Sequence, residues 1–132
     1  MPESRVRGKA PWFIKNVLNP IMLLTGGAPI LTVRGRRSGK EFRTPIFILD
    51  LNGARYLTSP RGETTWSRNL RAVGECTLKI KGRERRFRAT EVPGEERAPI
   101  IDAYVKRWRQ TKTQFDKLPD PVDHPTFRLE EV

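Results

Sequence analysis

The dipeptide Asn52-Gly53 is the feature that most restricts how this chain can fold. Asn-Gly is among the strongest signals for the two-residue turn of a β-hairpin, because both residues adopt positive φ easily. The flanking segments, at about 42–51 and 54–59, are rich in β-branched and aromatic side chains and predict two strands. The sequence therefore predicts an antiparallel sheet.

Four further strands are predicted from the same kind of pattern. They are expected at about 29–34, 77–81, 85–92 and 126–129, with Gly82 in the turn between the second and third of these. Six strands joined mainly by hairpins, with few helices, predict a mainly β fold of the α+β kind built on a small barrel.

Three helices are expected to pack on this barrel. The first begins at Pro11 and places Phe13, Val17 and Leu18 on one face, and a short one at about 64–71 has a threonine cap. The longest is predicted at about 95–109, where apolar residues recur at helical spacing: Ile101, Tyr104, Val105 and Trp108. The polar segment 110–123 contains prolines and predicts a loop.

Length and composition limit the classes of function. A chain of 132 residues is expected to form one domain, 1–132, and its formal net charge of +11 indicates an anionic partner. With one cysteine, Cys76, and one histidine, His124, neither an intramolecular disulfide nor a zinc site of cysteine and histidine ligands can form. A Ser–His–Asp triad would depend on His124, so a hydrolase is not favoured.

The N-terminal segment has two interpretations. Residues 1–10 are basic and are expected to be a mobile leader. A basic leader before an amphipathic helix is typical of proteins that lie on an anionic membrane surface, but a helix that covers the core is the favoured alternative. No apolar segment is long enough to span a bilayer, so we expect a cytoplasmic protein with peripheral membrane association as an option.

Between the first two predicted strands lies the basic glycine loop, defined here as Gly35–Lys40, with the sequence Gly-Arg-Arg-Ser-Gly-Lys. Guanidinium groups and backbone N–H groups suit a phosphate or a carboxylate. A solvated hairpin tip is an equal alternative. The loop is not a P-loop, because three residues separate its glycines and Glu41 follows Lys40.

A second basic stretch covers residues 79–88, where lysine and arginine alternate along the predicted hairpin. It is interpreted as a solvated face. Nucleic-acid binding is the minority interpretation, because few aromatic side chains lie among the charges to stack on bases.

The order of the motifs carries more information than any one of them. The basic glycine loop is followed by Arg43-Thr44-Pro45, then Leu57-Thr58-Ser59-Pro60-Arg61-Gly62, then a helix with Trp66 and Asn69-Leu70. This succession, from about Pro11 to Leu129, resembles the deazaflavin-dependent nitroreductase family, whose members are split β-barrels that bind coenzyme F420.

The resemblance implies cofactor contacts at four places. The phosphate and oligoglutamate tail would lie on the basic glycine loop, the deazaflavin ring along the next strand and the following hairpin, and the short helix would close the site. The residues so implied are Arg36, Arg37, Ser38, Phe42, Arg43, Thr44, Pro45, Ile46, Phe47, Leu57, Thr58, Ser59, Pro60, Thr65, Trp66, Ser67, Arg68 and Asn69. FMN, with one phosphate, is the alternative cofactor, but the number of arginines favours the longer anionic tail.

The resemblance also implies hydride transfer to a small organic acceptor: a quinone, a nitro compound or an activated double bond. The chain departs from the family pattern at Phe47, where a tyrosine is expected, and at Pro60, where a lysine is expected. C-terminal tyrosines are absent and Tyr104 is assigned to the core, so Ser59, the predicted catalytic residue, or water is expected to serve as the proton donor. A non-catalytic protein that binds the cofactor or a lipid remains the alternative, and the chain is expected to be a monomer or a weak homodimer.

Overall fold

The computed structural model describes residues 28–132 of the chain. The predicted basic leader and the predicted first helix, with Phe13, Val17 and Leu18, lie outside the described residues. Within the described part of the chain, no helix is long and apolar enough to cross a membrane.

Seven antiparallel strands form a single curled sheet, a half-barrel. In spatial order they run β2-β1-β5-β6-β7-β4-β3. Their bounds are β1 Ile30–Arg34, β2 Glu41–Pro45, β3 Leu49–Leu51, β4 Ala54–Thr58, β5 Glu75–Ile80, β6 Arg83–Glu91 and β7 Thr126–Glu131.

The count of six strands was wrong because the predicted strand 42–51 is two strands. β2 pairs with β1 and β3 pairs with β4, so these two halves lie at opposite edges of the sheet. Pro45 has no N–H to continue the ladder, and the N–H of Ile46 donates instead to the carbonyl of Pro29 at 3.0 Å. Residues 46–48 therefore connect the two edges of the sheet.

Two predicted helices are present. α1, Thr65–Val73, begins with a capping box between Thr64 and Ser67 and ends at Gly74, whose φ of 79° is the left-handed conformation that glycine tolerates. α2, Ala98–Arg107, has Pro99 in its first turn, where a missing N–H costs little.

The prediction of a loop over 110–123 was wrong. The segment contains a 3-10 turn at Arg109–Thr111, a short helix α3 at Lys112–Lys117 and a second 3-10 turn at Pro121–Asp123. One buried aromatic residue, Phe115, anchors α3, with its ring centroid 5.9 Å from that of Tyr104. A six-residue helix needs only this anchor when a core already exists for it to cover.

Two hydrophobic cores hold the fold. The inner core lies inside the half-barrel and is mostly aliphatic, and its members include Leu31, Val33, Leu57, Leu70, Leu78, Phe87 and Phe127. The aromatic core lies between the β3–β4 hairpin and the helices α2 and α3, and its rings are Phe47, Tyr56, Tyr104, Trp108 and Phe115. Full burial of each large side chain contributes roughly 1.5–3 kcal/mol.

Candidate functional site

A cavity of about 650 Å³ opens where the sheet, α1 and the α2–α3 region meet. This size is ordinary for a small-molecule site. Its walls are formed by Ala28, Phe42, Arg43, Thr44, Pro45, Ile46, Phe47, Thr58, Ser59, Pro60, Arg61, Thr64, Thr65, Trp66, Tyr104, Thr111 and Gln114.

The sheet wall consists of β2 with the 46–48 connection, and of the end of β4 with the turn that follows. Six consecutive predicted residues, Phe42 to Phe47, lie on it, together with Thr58, Ser59 and Pro60. The Thr58 hydroxyl lies 2.7 Å from that of Thr126, and the Ser59 hydroxyl donates to the carbonyl of Gly62 at 2.5 Å. The proton of Ser59 is therefore already engaged within its own turn.

The start of α1 forms the adjoining wall. Thr65 and Trp66 line the cavity, as predicted from the motif, and the Trp66 ring also packs against Phe127 at 6.0 Å between centroids. Seven predicted residues do not line it: Arg36, Arg37, Ser38, Leu57, Ser67, Arg68 and Asn69. Leu57 is a member of the inner core, Ser67 is engaged in the cap of α1, and Arg68 is exposed.

The basic glycine loop lies beside the cavity and is tied to α1. Both the backbone N–H of Arg36 and its Nη1 donate to Oδ1 of Asn69, at 3.1 and 2.7 Å. Asn69 is 1% exposed, and its Nδ2 is a buried donor that has no partner among the described residues. The Ser38 hydroxyl accepts a hydrogen bond from the backbone N–H of Lys40 within the loop, and Arg37 is exposed.

The helical wall of the cavity, formed by Tyr104, Thr111 and Gln114, was not predicted from sequence. Tyr104 is both a core residue and a cavity residue, and burial raises the pKa of its phenol, which therefore stays protonated. Its hydroxyl makes no hydrogen bond within the part of the chain that the structure describes. The Thr111 hydroxyl donates to the carbonyl of Trp108 at 2.7 Å.

The cavity edge is cationic and its interior is apolar. Arg43 and Arg61 both lie on the wall, and Arg43 is in contact with Glu41 at 3.2 Å. The Phe47 ring stacks on Trp108 with centroids 4.6 Å apart and planes 5° from parallel. This combination suits a flat aromatic group that carries an anionic extension.

Other candidate chemistry is not supported by the geometry. Burial raises the pKa of the Cys76 thiol to about 12, so it is not a ready nucleophile. Among residues 28–132, no cluster of histidine, cysteine or carboxylate side chains could hold a metal ion. On the second basic stretch, Lys79 faces Glu84 and Arg88 faces both Glu75 and Glu130 across the sheet, an alternation typical of a solvated face.

Comparison with known families gives a match over most of the chain. Residues 14–121 match the sequence profile of the family described as F420H(2)-dependent quinone reductase. No significant match was found among curated proteins.

Solved structures show the same fold. An F420-H2 dependent reductase, FDR-A, superposes with a TM-score of 0.59 at 23% identity, covering 77% of this chain and 92% of that one. Atu2129 of Agrobacterium tumefaciens, a protein of unknown function, superposes with a TM-score of 0.62 at 22% identity, and the match covers 78% of this chain and 47% of that one. A structure described as a domain-swapped dimer superposes with a TM-score of 0.57 at 20% identity, and the match covers 88% of this chain and 96% of that one. The predicted split β-barrel is confirmed, with seven strands in place of six.

Proposed function

This chain belongs to the F420H2-dependent quinone reductase family, whose cofactor is coenzyme F420, and on that premise we propose that it reduces a small carbonyl or quinone-like acceptor in the cavity described above. When bound, the reduced deazaflavin supplies the hydride. The observation that carries the proposal is the juxtaposition of an apolar cavity with a cationic edge, near a buried donor that has no partner among residues 28–132.

The residues of the basic glycine loop and α1 fit the anionic tail of F420. Nδ2 of Asn69 is a buried donor without a partner among the described residues, and an oxyanion is the group that would satisfy it. Asn69 also holds Arg36 in place through two hydrogen bonds, so the guanidinium is oriented before any ligand arrives. We propose that Arg36 and Asn69, with Arg37, Arg43 and Arg61, bind the tail.

The sheet wall and Trp66 fit the flat ring. Pro45, Phe47 and Trp66 provide apolar faces, and the turn after Thr58 provides backbone polar groups at the edge of the cavity. These residues would orient the ring and exclude water from it. The ring would then face the helical wall across the cavity.

The helical wall would hold the acceptor. The Tyr104 phenol is protonated and unpartnered within the described residues, so it can donate a hydrogen bond, or a proton, to a carbonyl or quinone oxygen. Ser59 is less suited to this role than the sequence suggested, because its hydroxyl donates to Gly62. Gln114 adds an amide donor on the same wall.

Fluorescence titration with F420 and, separately, with FMN tests the cofactor assignment. We expect F420 to bind more tightly, and we expect the difference to shrink with forms of F420 that have fewer glutamates, because fewer charge pairs are made. Equal or tighter binding of FMN would contradict the proposal.

Oxidation of F420H2 in the presence of menadione tests the activity. The deazaflavin absorbance should return only when protein, reduced cofactor and quinone are all present. The protein would be a carrier and not a reductase if it binds F420 but fails to oxidise F420H2 when a quinone, a nitro compound or an activated double bond is supplied.

A further inference from the structure

Trp108 lies at the corner of the helical wall, although it does not itself line the cavity. The residue ends α2, where its φ of −128° and ψ of 78° leave the helical conformation, and its N–H donates to the carbonyl of Tyr104 at 2.9 Å. The 3-10 turn and α3 follow directly. The helical wall, with Tyr104 before the corner and Thr111 and Gln114 after it, is therefore built around Trp108.

The backbone of Trp108 fixes the next residue of this wall. Its carbonyl oxygen accepts both the N–H of Thr111, at 3.0 Å, and the Thr111 hydroxyl, at 2.7 Å. Two hydrogen bonds from one residue to one carbonyl hold the backbone and the side chain of that residue together. The direction in which Thr111 faces the cavity is therefore set from Trp108.

The Trp108 ring contacts residues of both walls. On the sheet wall it stacks on Phe47, with centroids 4.6 Å apart, and on the helical wall its centroid lies 4.8 Å from that of Tyr104. The centroids of Phe47 and Tyr104 are 6.3 Å apart, with planes tilted by 57°. The indole thus lies closer to each of these two wall rings than they lie to each other.

A cation also holds the indole. The Arg107 guanidinium lies over the Trp108 ring, 5.2 Å from its centroid, which is within range of a cation–π contact. Arg107 is exposed and Trp108 is half-buried, so this contact lies near solvent, whereas Tyr104 is buried. Rotation of the indole would disturb its contacts with the guanidinium and with both wall rings at once, so the ring is held in one orientation.

We propose that Trp108 is a positioning residue of the cavity: its stacked ring holds Phe47 of the sheet wall against Tyr104 of the helical wall, and so sets how the acceptor is oriented. Aromatic pairs prefer particular offset and tilted arrangements, so an aliphatic side chain of similar volume does not replace the indole. The effect of Trp108 on turnover rests on the proposed function, whereas its effect on the two wall rings does not.

Proton NMR of the full chain tests the position of the rings without cofactor or acceptor. The chain has two tyrosines and six phenylalanines, so the ring signals can be assigned by selective labelling. We expect nuclear Overhauser contacts between the rings of Phe47 and Tyr104 in the wild-type protein, their loss in Trp108→Leu, and their return in Trp108→Phe, which keeps a ring to stack. Unchanged contacts in Trp108→Leu would overturn the inference, whatever the enzyme does. If the leucine variant does not fold, Trp108→Met takes its place in the same comparison.

Steady-state kinetics with F420H2 and menadione test the consequence. In Trp108→Leu we expect KM for menadione to rise about tenfold with a smaller fall in kcat, and in Trp108→Phe we expect most of the loss to be recovered. Phe87→Leu removes a buried ring from the inner core, away from the cavity, and is the matched control for lost stability. Both kinetic parameters should stay unchanged in this control. A folded Trp108→Leu variant with unchanged KM and kcat would contradict the inference.

A double variant tests whether Trp108 acts through its partner on the sheet wall. Once Phe47→Leu has removed that partner, adding Trp108→Leu should raise KM for menadione little further, because the two residues act as one unit. Effects that multiply independently would show that Trp108 does not act through Phe47, which would also overturn the inference. If the wild-type protein reduces no acceptor, the proposed function fails, while the ring NMR still decides whether Trp108 positions the two walls.

Discussion

The inner core and the aromatic core differ in composition and in what they border. The inner core is built largely from leucines with no exposed surface, such as Leu31, Leu57 and Leu78, and the half-barrel encloses it. The aromatic core combines five rings with aliphatic residues such as Leu49 and Ile100, and two of its rings, Phe47 and Tyr104, also form cavity wall. The inner core reaches the cavity only at its border, through Ile46 and through Trp66 packed against it, and its leucines do not line the cavity.

This difference has a physical reason. Aliphatic side chains pack densely in the narrow space inside a curled sheet, where a void would cost stability. Aromatic rings such as Phe47 and Trp108, stacked 4.6 Å apart, form rigid flat surfaces that keep their shape where packing ends and a cavity begins. We therefore expect substitutions in the inner core to act on stability, and substitutions at the border of the aromatic core to act on function.

The largest expected effect is that of Leu57→Ala. Leu57 has no exposed surface, so its truncation should lower the free energy of unfolding by about 2–5 kcal/mol, as measured by urea denaturation. The affinity of the folded protein for F420 should stay unchanged, because the side chain faces the inner core. Val73→Ala, on the exposed side of α1, is the control, and it should lower the free energy of unfolding only slightly. A selective loss of F420 affinity in Leu57→Ala would place Leu57 in the site and break the comparison.

The next effect is that of Arg36→Ala on cofactor binding. Loss of a charged hydrogen-bonding contact should weaken F420 binding by about 1.5–3 kcal/mol, measured by fluorescence titration, and should reduce its salt dependence. Stability should change by less than about 1 kcal/mol, because the side chain is exposed. Arg83→Ala removes the same charge from the β5–β6 hairpin and should leave binding unchanged. An equal loss of F420 affinity in both variants would mean that the net charge of the protein, and not the position of Arg36, determines binding.

The sheet wall was predictable from sequence because its signals are local. The Asn52-Gly53 turn, the runs of β-branched residues and the motif after Leu57 each lie within a few residues, and the strands follow from them. The break at Pro45 was missed, since a run of apolar residues does not show that the chain changes partners from one sheet edge to the other.

The helical wall was not predictable for the opposite reason. α3 has a polar sequence with one buried ring, and helical periodicity places Tyr104 on a buried face without showing that the face ends at a cavity. The contacts that orient the site are also distant in sequence. Arg36 meets Asn69 across 33 positions, and His124 meets Ser59 across 65. Such contacts depend on the completed sheet.

At the border of the aromatic core, Tyr104→Phe should separate function from stability. The phenol makes no hydrogen bond within residues 28–132, so the free energy of unfolding should change by less than about 1 kcal/mol. If the hydroxyl donates to the acceptor oxygen, kcat/KM for menadione should fall roughly tenfold to a hundredfold. Tyr56→Phe, the other tyrosine of the chain, lies away from the cavity and is the matched control. Unchanged turnover in Tyr104→Phe would make the phenol a packing group only.

The smallest expected effect concerns the ion pairs that connect the two cores. Glu91, at the end of β6, accepts from Arg71 on α1 at 2.7 and 2.9 Å and from Arg97, just before α2, at 3.1 Å. The hydrogen bond from Arg71 is the main cause of the lowered pKa of Glu91, and the same pairing raises the pKa of Arg71, which therefore stays charged at every pH of interest.

Arg71 also pairs with Glu63 at 2.8 Å, so its removal should matter while these two carboxylates are ionised. A carboxyl whose pKa is lowered by folding contributes stability above its ordinary pKa, near 4.5, and that contribution is lost as the pH falls through the lower folded value. Because Arg71 is 39% exposed, Arg71→Gln should cost only about 0.5–1 kcal/mol near neutral pH, and less in high salt. Urea midpoints of the variant and the wild-type protein should converge in acid, as Glu91 becomes protonated in both. Arg88→Gln, on the solvated sheet face, controls for the change in net charge. A difference that persists in acid would mean that Arg71 stabilises α1 by packing, and that the two cores are not coupled through this ion pair.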